Sequence, residues 1–228
     1  MEKPSTLFTG VFGAFAISCG AMVLIPYSQF GGLQPQYKWE EGQSQPTEVY
    51  PLDVSQEGKS VYQSNGCFYC HTQQIRDEQN GLDIERGWGP RRTIARDYLY
   101  EEVPLLGSTR MGPDFTNYGT KEWRNEPADD IKKPAKRDAS WIYLHLYSPR
   151  TIVRDSKCPP YRFLFEKKKI DGAPSPLALP VPVEKGYQIL PTREVEHLAQ
   201  YLLNLDRTPA VDELKVEVKP EAKAEAKP

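Results

Sequence analysis

Residues 65–76 read NGCFYCHTQQIR, which places Cys67 and Cys70 three apart and His71 directly behind the second thiol. A pair at this spacing supports three chemistries: a redox dithiol, half of a zinc site, or a haem attachment point. Zinc needs two further ligands. Only Cys158, His145 and His197 remain to supply them, with no second C-x-x-C and no H-x-x-x-H. A thioredoxin-like dithiol sits where a strand meets a helix, whereas here a helical pattern precedes the motif and no β-branched run lies near it. The haem reading uses every part of the motif. Cys67 and Cys70 add across the vinyl groups, and the His71 imidazole falls beneath the iron as its proximal ligand.

The composition bears on that choice. Hydrophobic residues make up 39% of 228, with 21 prolines and 16 glycines, so the body is rich in loops and short of apolar side chains for a large core. A covalent cofactor would fill the centre of such a fold. Basic and acidic residues balance, 29 against 31, with no cluster of Lys and Arg among aromatics, so nucleic acid is not expected as a partner. Of the four cysteines, Cys19 lies in an apolar run and Cys158 has no evident mate, so this is not a disulfide scaffold.

The N-terminal segment carries no charge from Pro4 to Tyr37, and Leu7 to Ile25 is almost wholly apolar. As a helix these residues span about 28 Å, close to the ~30 Å of a bilayer core. No A-x-A-like cleavage site follows, which favours a retained membrane anchor over a signal peptide. Gly10 with Ala14, and Ala16 with Gly20, give small-xxx-small spacings that admit a second helix. Lys3 before the helix, with no positive charge close behind it, favours a cytoplasmic N-terminus.

The expected organisation is an anchor over 1–27, a polar tether over 28–53, a soluble domain over 54–207 and a disordered charged tail over 208–228. Ser55–Gln63 reads as a short helix capped by Ser55, running straight into the cysteine motif. Residues 72–137 show no period and read as loops with short helical turns. Ser140–Tyr147 is a compact helix stopped by Pro149, and 171–186 is too rich in proline for regular structure. Thr192–Leu205 is a strongly amphipathic helix with Thr192 as N-cap, Glu194 and Glu196 in its first turn, and Val195, Leu198, Leu202 and Leu205 along one stripe. The fold class is therefore mainly α: one transmembrane helix plus a loop-rich domain whose elements follow the order of a class I cytochrome c.

Three strings sharpen this. NGCFYCHTQQIR, LLGSTRMGPDF and HLYSPRTIVRDSKCPPYRFL resemble, in the same order, the mono-haem subunit II (FixO/CcoO type) of cbb(3)-type cytochrome c oxidases. The likeness runs from about Leu7 to Leu205, is strongest over 58–165 and fails in the charged tail; residues 120–139 look longer than the family's loop. The resemblance implies one covalently attached haem c and a single-pass bacterial inner-membrane protein with a periplasmic haem domain. It also implies partnership with a polytopic haem–copper oxidase catalytic subunit and other cytochrome c subunits, which reduce oxygen and pump protons. A nitric oxide reductase cytochrome subunit shares the anchor-plus-haem plan, and a membrane-tethered thiol oxidoreductase is the reading from a different class.

The remaining ligands follow from haem chemistry and from the resemblance. RMGPDF resembles the G-P-[DN]-L loop of c-type cytochromes, which makes the Pro113 carbonyl the expected acceptor for the His71 Nδ1 proton. Haem propionates need cationic partners, and Arg110 is the first expectation, Arg150 the second. The family places a methionine in S-x-M-P-x-Y where this chain reads S-K-C-P-P-Y, so Cys158 becomes the expected distal iron ligand. Met22 lies in the membrane segment and Met111 beside the GPDF loop, so neither is expected there. His145 is expected as a hydrogen-bonded core histidine, and His197 as an outward-facing one.

Overall fold

The computed structural model describes residues 4–38, 45–49, 55–120 and 137–213. The expected tail beyond residue 213, the orienting Lys3 and residues 121–136 of the long loop lie outside the described residues. Two compact units emerge: residues 1–51, 94–101 and 210–228 form one, and 52–93 with 102–209 form the other.

In the first unit, α1 (Pro4–Phe30) is a continuous helix of 27 residues that contains an 18-residue stretch with a mean hydropathy of 2.0. It runs three residues past the expected anchor. Gly20–Leu24 widen into a π-helical turn just ahead of Pro26, whose ring nitrogen cannot donate to the preceding turn. The tether is not wholly irregular, because β1 (Tyr37–Lys38) pairs antiparallel with β2 (Thr47–Glu48). Arg96, buried here, ties three stretches of this unit together. Its guanidinium donates to the Gln34 carbonyl and, at 2.7 Å, to the Asp212 carbonyl.

The second unit is organised by two helices, α2 (Gln56–Ser64) and α6 (Arg193–Leu203), that pack against each other. Gly58 makes the close approach possible. A Cβ there would collide with the His197 backbone, so a larger residue would force the helices apart. Tyr62 and Tyr201 meet beside the contact with ring centroids 5.6 Å apart. The predicted stripe is buried throughout: Val195, Leu198, Leu202 and Leu205 join Tyr62, Ile142 and Leu146 in the core. Each such aliphatic side chain contributes about 1.5–3 kcal/mol on burial.

Between these helices come the one-turn α3 (Cys67–Cys70), α4 (Ala139–Tyr147) and α5 (Pro149–Ile152). Pro149 opens α5, at a position where a missing N–H costs nothing. Asp138 starts α4, its carboxylate accepting the Trp141 N–H at 3.1 Å. The cap was not evident in the sequence. Conversely, Ser55 and Thr192 occupy N-cap positions without capping through their side chains. Thr192 instead donates its hydroxyl to the Leu164 carbonyl at 2.8 Å, fastening α6 to the segment before it.

The mainly helical expectation is met in part. Phe165–Lys169 (β3) and Tyr187–Pro191 (β4) form an antiparallel pair in the register Phe165↔Pro191 to Lys169↔Tyr187. As expected, residues 171–186 between them adopt neither helix nor strand.

Candidate functional site

The cysteine motif is zipped to the GPDF loop by main-chain bonds. Gly112 N–H donates to the Cys70 carbonyl at 3.1 Å, and Phe115 N–H to the Thr72 carbonyl at 2.8 Å. Buried Asp114 reinforces the seam, its carboxylate accepting the Gln74 N–H at 2.8 Å and the Thr72 hydroxyl at 2.5 Å. The result is a fixed imidazole. His71 Nδ1 lies 2.9 Å from the Pro113 carbonyl oxygen, and the ring stacks on Phe115 at 3.9 Å. Tyr62 donates its hydroxyl to the His71 carbonyl, so the main chain is held as well as the ring.

Gly112 is required by this geometry, since a Cβ on it would strike the His71 ring. Burial lowers the His71 pKa to about 4, against the raising effect of the Pro113 bond. The imidazole is therefore neutral at physiological pH. With Nδ1–H given to Pro113, Nε2 is left as the nitrogen able to bind a metal.

His71 faces a cavity of about 350 Å³ within the second unit, whose walls include Cys67, Cys70, Cys158, His145 and Tyr161. That volume lies in the ~300–1,000 Å³ range of ligand pockets. Burial pushes the Cys67 thiol up to about 12, with Cys158 adding to the effect. Burial and the nearby Cys70 push Cys158 up to about 11, while Arg150 pulls it back. Among the described residues, no three His, Cys, Asp or Glu side chains cluster so as to hold a metal ion.

The walls fit a haem. The two thiols and the oriented imidazole share one largely apolar cavity, and His145 adds a buried Nδ1 with no hydrogen-bond partner among the described residues. His145 thus departs from the expected hydrogen-bonded histidine. It stacks on Trp141 at 4.8 Å with planes 7° apart, and burial lowers its pKa to about 4. His197 is half-buried along α6 rather than outward-facing.

The two expected propionate partners are not among the cavity's lining residues. Arg110 Nη1 lies 2.8 Å from buried Asp83, and Arg110 Nη2 donates to the Gln74 carbonyl at 2.7 Å. Asp83 also binds Arg76 at 3.0 Å. Arg150 is exposed on α5. The lining does include two cations not foreseen in the sequence, Arg137 and Lys157. Tyr62 and Phe115, which hold His71, were likewise not assigned that role. Phe115 could have been found from its place in the GPDF string.

An imidazole fixed by a carbonyl, with two thiols at the wall of one apolar cavity, is a lining that fits a haem. Residues 1–216 match the family described as cytochrome c oxidase, mono-heme subunit/FixO, and the chain belongs to it. It is accordingly a mono-haem subunit of a cytochrome c oxidase complex, acting in electron transfer. No curated protein matches the chain.

Proposed function

We propose that the chain carries one covalent haem c, with Cys67 and Cys70 as thioether donors and His71 as proximal ligand, and relays electrons to the polytopic catalytic subunit of a haem–copper oxidase. Oxygen would be reduced to water there, with proton pumping, in a complex that includes other cytochrome c subunits. The observation that carries this reading is the 2.9 Å contact between His71 Nδ1 and Pro113, in a cavity lined by both motif cysteines. When bound, the haem supplies a one-electron Fe(III)/Fe(II) couple. The chain's own residues do the rest: Pro113 holds the Nδ1 proton, Tyr62 holds the His71 carbonyl, and the apolar walls exclude water.

Residues 54–207 are read as a class I cytochrome c domain, supported by the contact of α2 with α6. Residues 1–27 are read as the anchor, 28–53 as the tether and 208–228 as a charged tail. Haem c attachment on the periplasmic side places the N-terminus of this single-pass inner-membrane chain in the cytoplasm. Cys158 is the proposed distal ligand, since it occupies the resemblance's methionine position and lines the same cavity. The unpartnered His145 Nδ1 supports a second reading, ligation by imidazole.

A pyridine haemochrome spectrum of the purified complex tests the central claim. The expected result is a thioether-type spectrum and a haem-staining band at 26.0 kDa on a denaturing gel, lost in Cys67→Ala/Cys70→Ala while the other cytochrome c subunits keep theirs. A wild-type band of this mass without haem stain would overturn it. Copper in the same preparation identifies a haem–copper partner.

A further inference from the structure

Arg137 ends a three-membered stack along the cavity wall. Its guanidinium lies 5.3 Å from the Trp141 ring centroid, and Trp141 stacks on His145 at 4.8 Å. All three line the cavity: Trp141 and His145 lie one turn apart on α4, and Arg137 stands just ahead of the Asp138 cap. The Asp138 cap fixes where the helix begins and therefore where Arg137 stands. Cation–π contact with Trp141 restrains the guanidinium further.

We propose that Arg137 is the anchoring partner for a carboxylate of the cofactor, with Lys157 as a second, solvent-side partner. The inference rests on the haem reading above and assigns the binding role to cations that line the cavity, as Arg110 and Arg150 do not. The physical need is plain: an apolar cavity cannot take up a carboxylate without donors to replace its water. Among the described lining residues, Arg137 and Lys157 carry the positive charge, and exposed Asp155 the negative. Arg110 is held by Asp83 and the Gln74 carbonyl. A guanidinium suits the task, because its planar fork can bind both oxygens of one carboxylate. Lys157 is exposed, has no ion-pair partner among the described residues, and sits one residue before Cys158 at the cavity's edge.

The test uses the whole oxidase complex carrying Arg137→Gln, Arg137→Lys, Lys157→Gln or, as control, Lys169→Gln. Two quantities are read: the haem midpoint potential by spectroelectrochemical titration, and the propionate bending band by resonance Raman. Arg137→Gln should lower the midpoint, because a lost cation favours Fe(III), and should shift the band. Arg137→Lys should keep most of the potential while shifting the band, Lys157→Gln should give a smaller change of the same sign, and Lys169→Gln none. Arg137→Gln with wild-type haem content, unchanged potential and unchanged band would overturn the proposal. Should Arg137→Gln fail to assemble, an unchanged band in Arg137→Lys does the same. Failure of the haem reading itself is separate, since it appears as a wild-type 26.0 kDa band that carries no covalent haem.

Discussion

His71 and Pro113, 42 positions apart in the chain, meet through one 2.9 Å contact between Nδ1 and a carbonyl oxygen. The contact depends on Gly112, the residue between the Cys70 main-chain bond and Pro113. Its α-carbon lies so close to the imidazole that no side chain fits. Gly112→Ala should therefore displace His71 at a strain of about 1–3 kcal/mol. The expected outcome is a mixed or high-spin haem in absorption and EPR spectra, with reduced haem content. A wild-type low-spin spectrum would show that the loop can yield without moving the ligand.

The identity of the distal ligand sets the potential. A thiolate favours ferric iron, whereas methionine raises the potential. Cys158→Met should raise the midpoint by on the order of 0.1 V, within the ~0.8 V that axial ligands span. Cys158→Ala should abolish thiolate features in the ferric spectrum. If those spectra match the wild type, the ligand is His145 or another group.

The helix contact at Gly58 predicts a stability effect away from the cavity. Gly58→Val drives a branched side chain into the His197 backbone and the Tyr201 side chain. Overpacking of this kind costs about 1–3 kcal/mol, and rigid backbone on the far side places the cost at the upper end. A thermal melt of the purified complex, following the haem Soret band, should show a lower midpoint for this domain. An unchanged melt would mean that the two helices can separate freely.

Asp83 predicts a pH dependence. Burial raises its pKa, but hydrogen bonds from Arg76 and the charge of Arg110 outweigh this and hold the carboxyl below its usual 3.8. A depressed folded-state pKa means that the unfolded chain binds the proton first as pH falls. The stabilisation is therefore present above about pH 4 and is lost as pH drops through the folded value. Asp83→Ala should destabilise by about 3 kcal/mol near neutrality, the lower end for a broken buried pair because Arg76 is partly exposed. The difference from wild type should shrink below pH 3.8. A constant difference across that range, measured by denaturant titration, would remove Asp83 from the acid response.

Local chemistry made much of this protein legible in its sequence. C-x-x-C-H, an uncharged run long enough for a bilayer, and a 3.6-residue apolar stripe are properties of neighbouring residues. Cys67, Cys70, His71, α1 and α6 could therefore be read without a fold. Pro113 could be read too, because the string RMGPDF carries its own resemblance. The β3–β4 pair escaped, since FEKKK has neither alternation nor an apolar face and its partner strand lies beyond a proline-rich loop. The fate of the arginines was decided by tertiary structure alone. Charge and sequence position made Arg110 and Arg150 attractive, but ion pairing is a matter of which carboxylate folding brings within reach. For Arg110 that was buried Asp83, 27 positions upstream, while Arg137 stands at the cavity wall immediately before the Asp138 cap of α4.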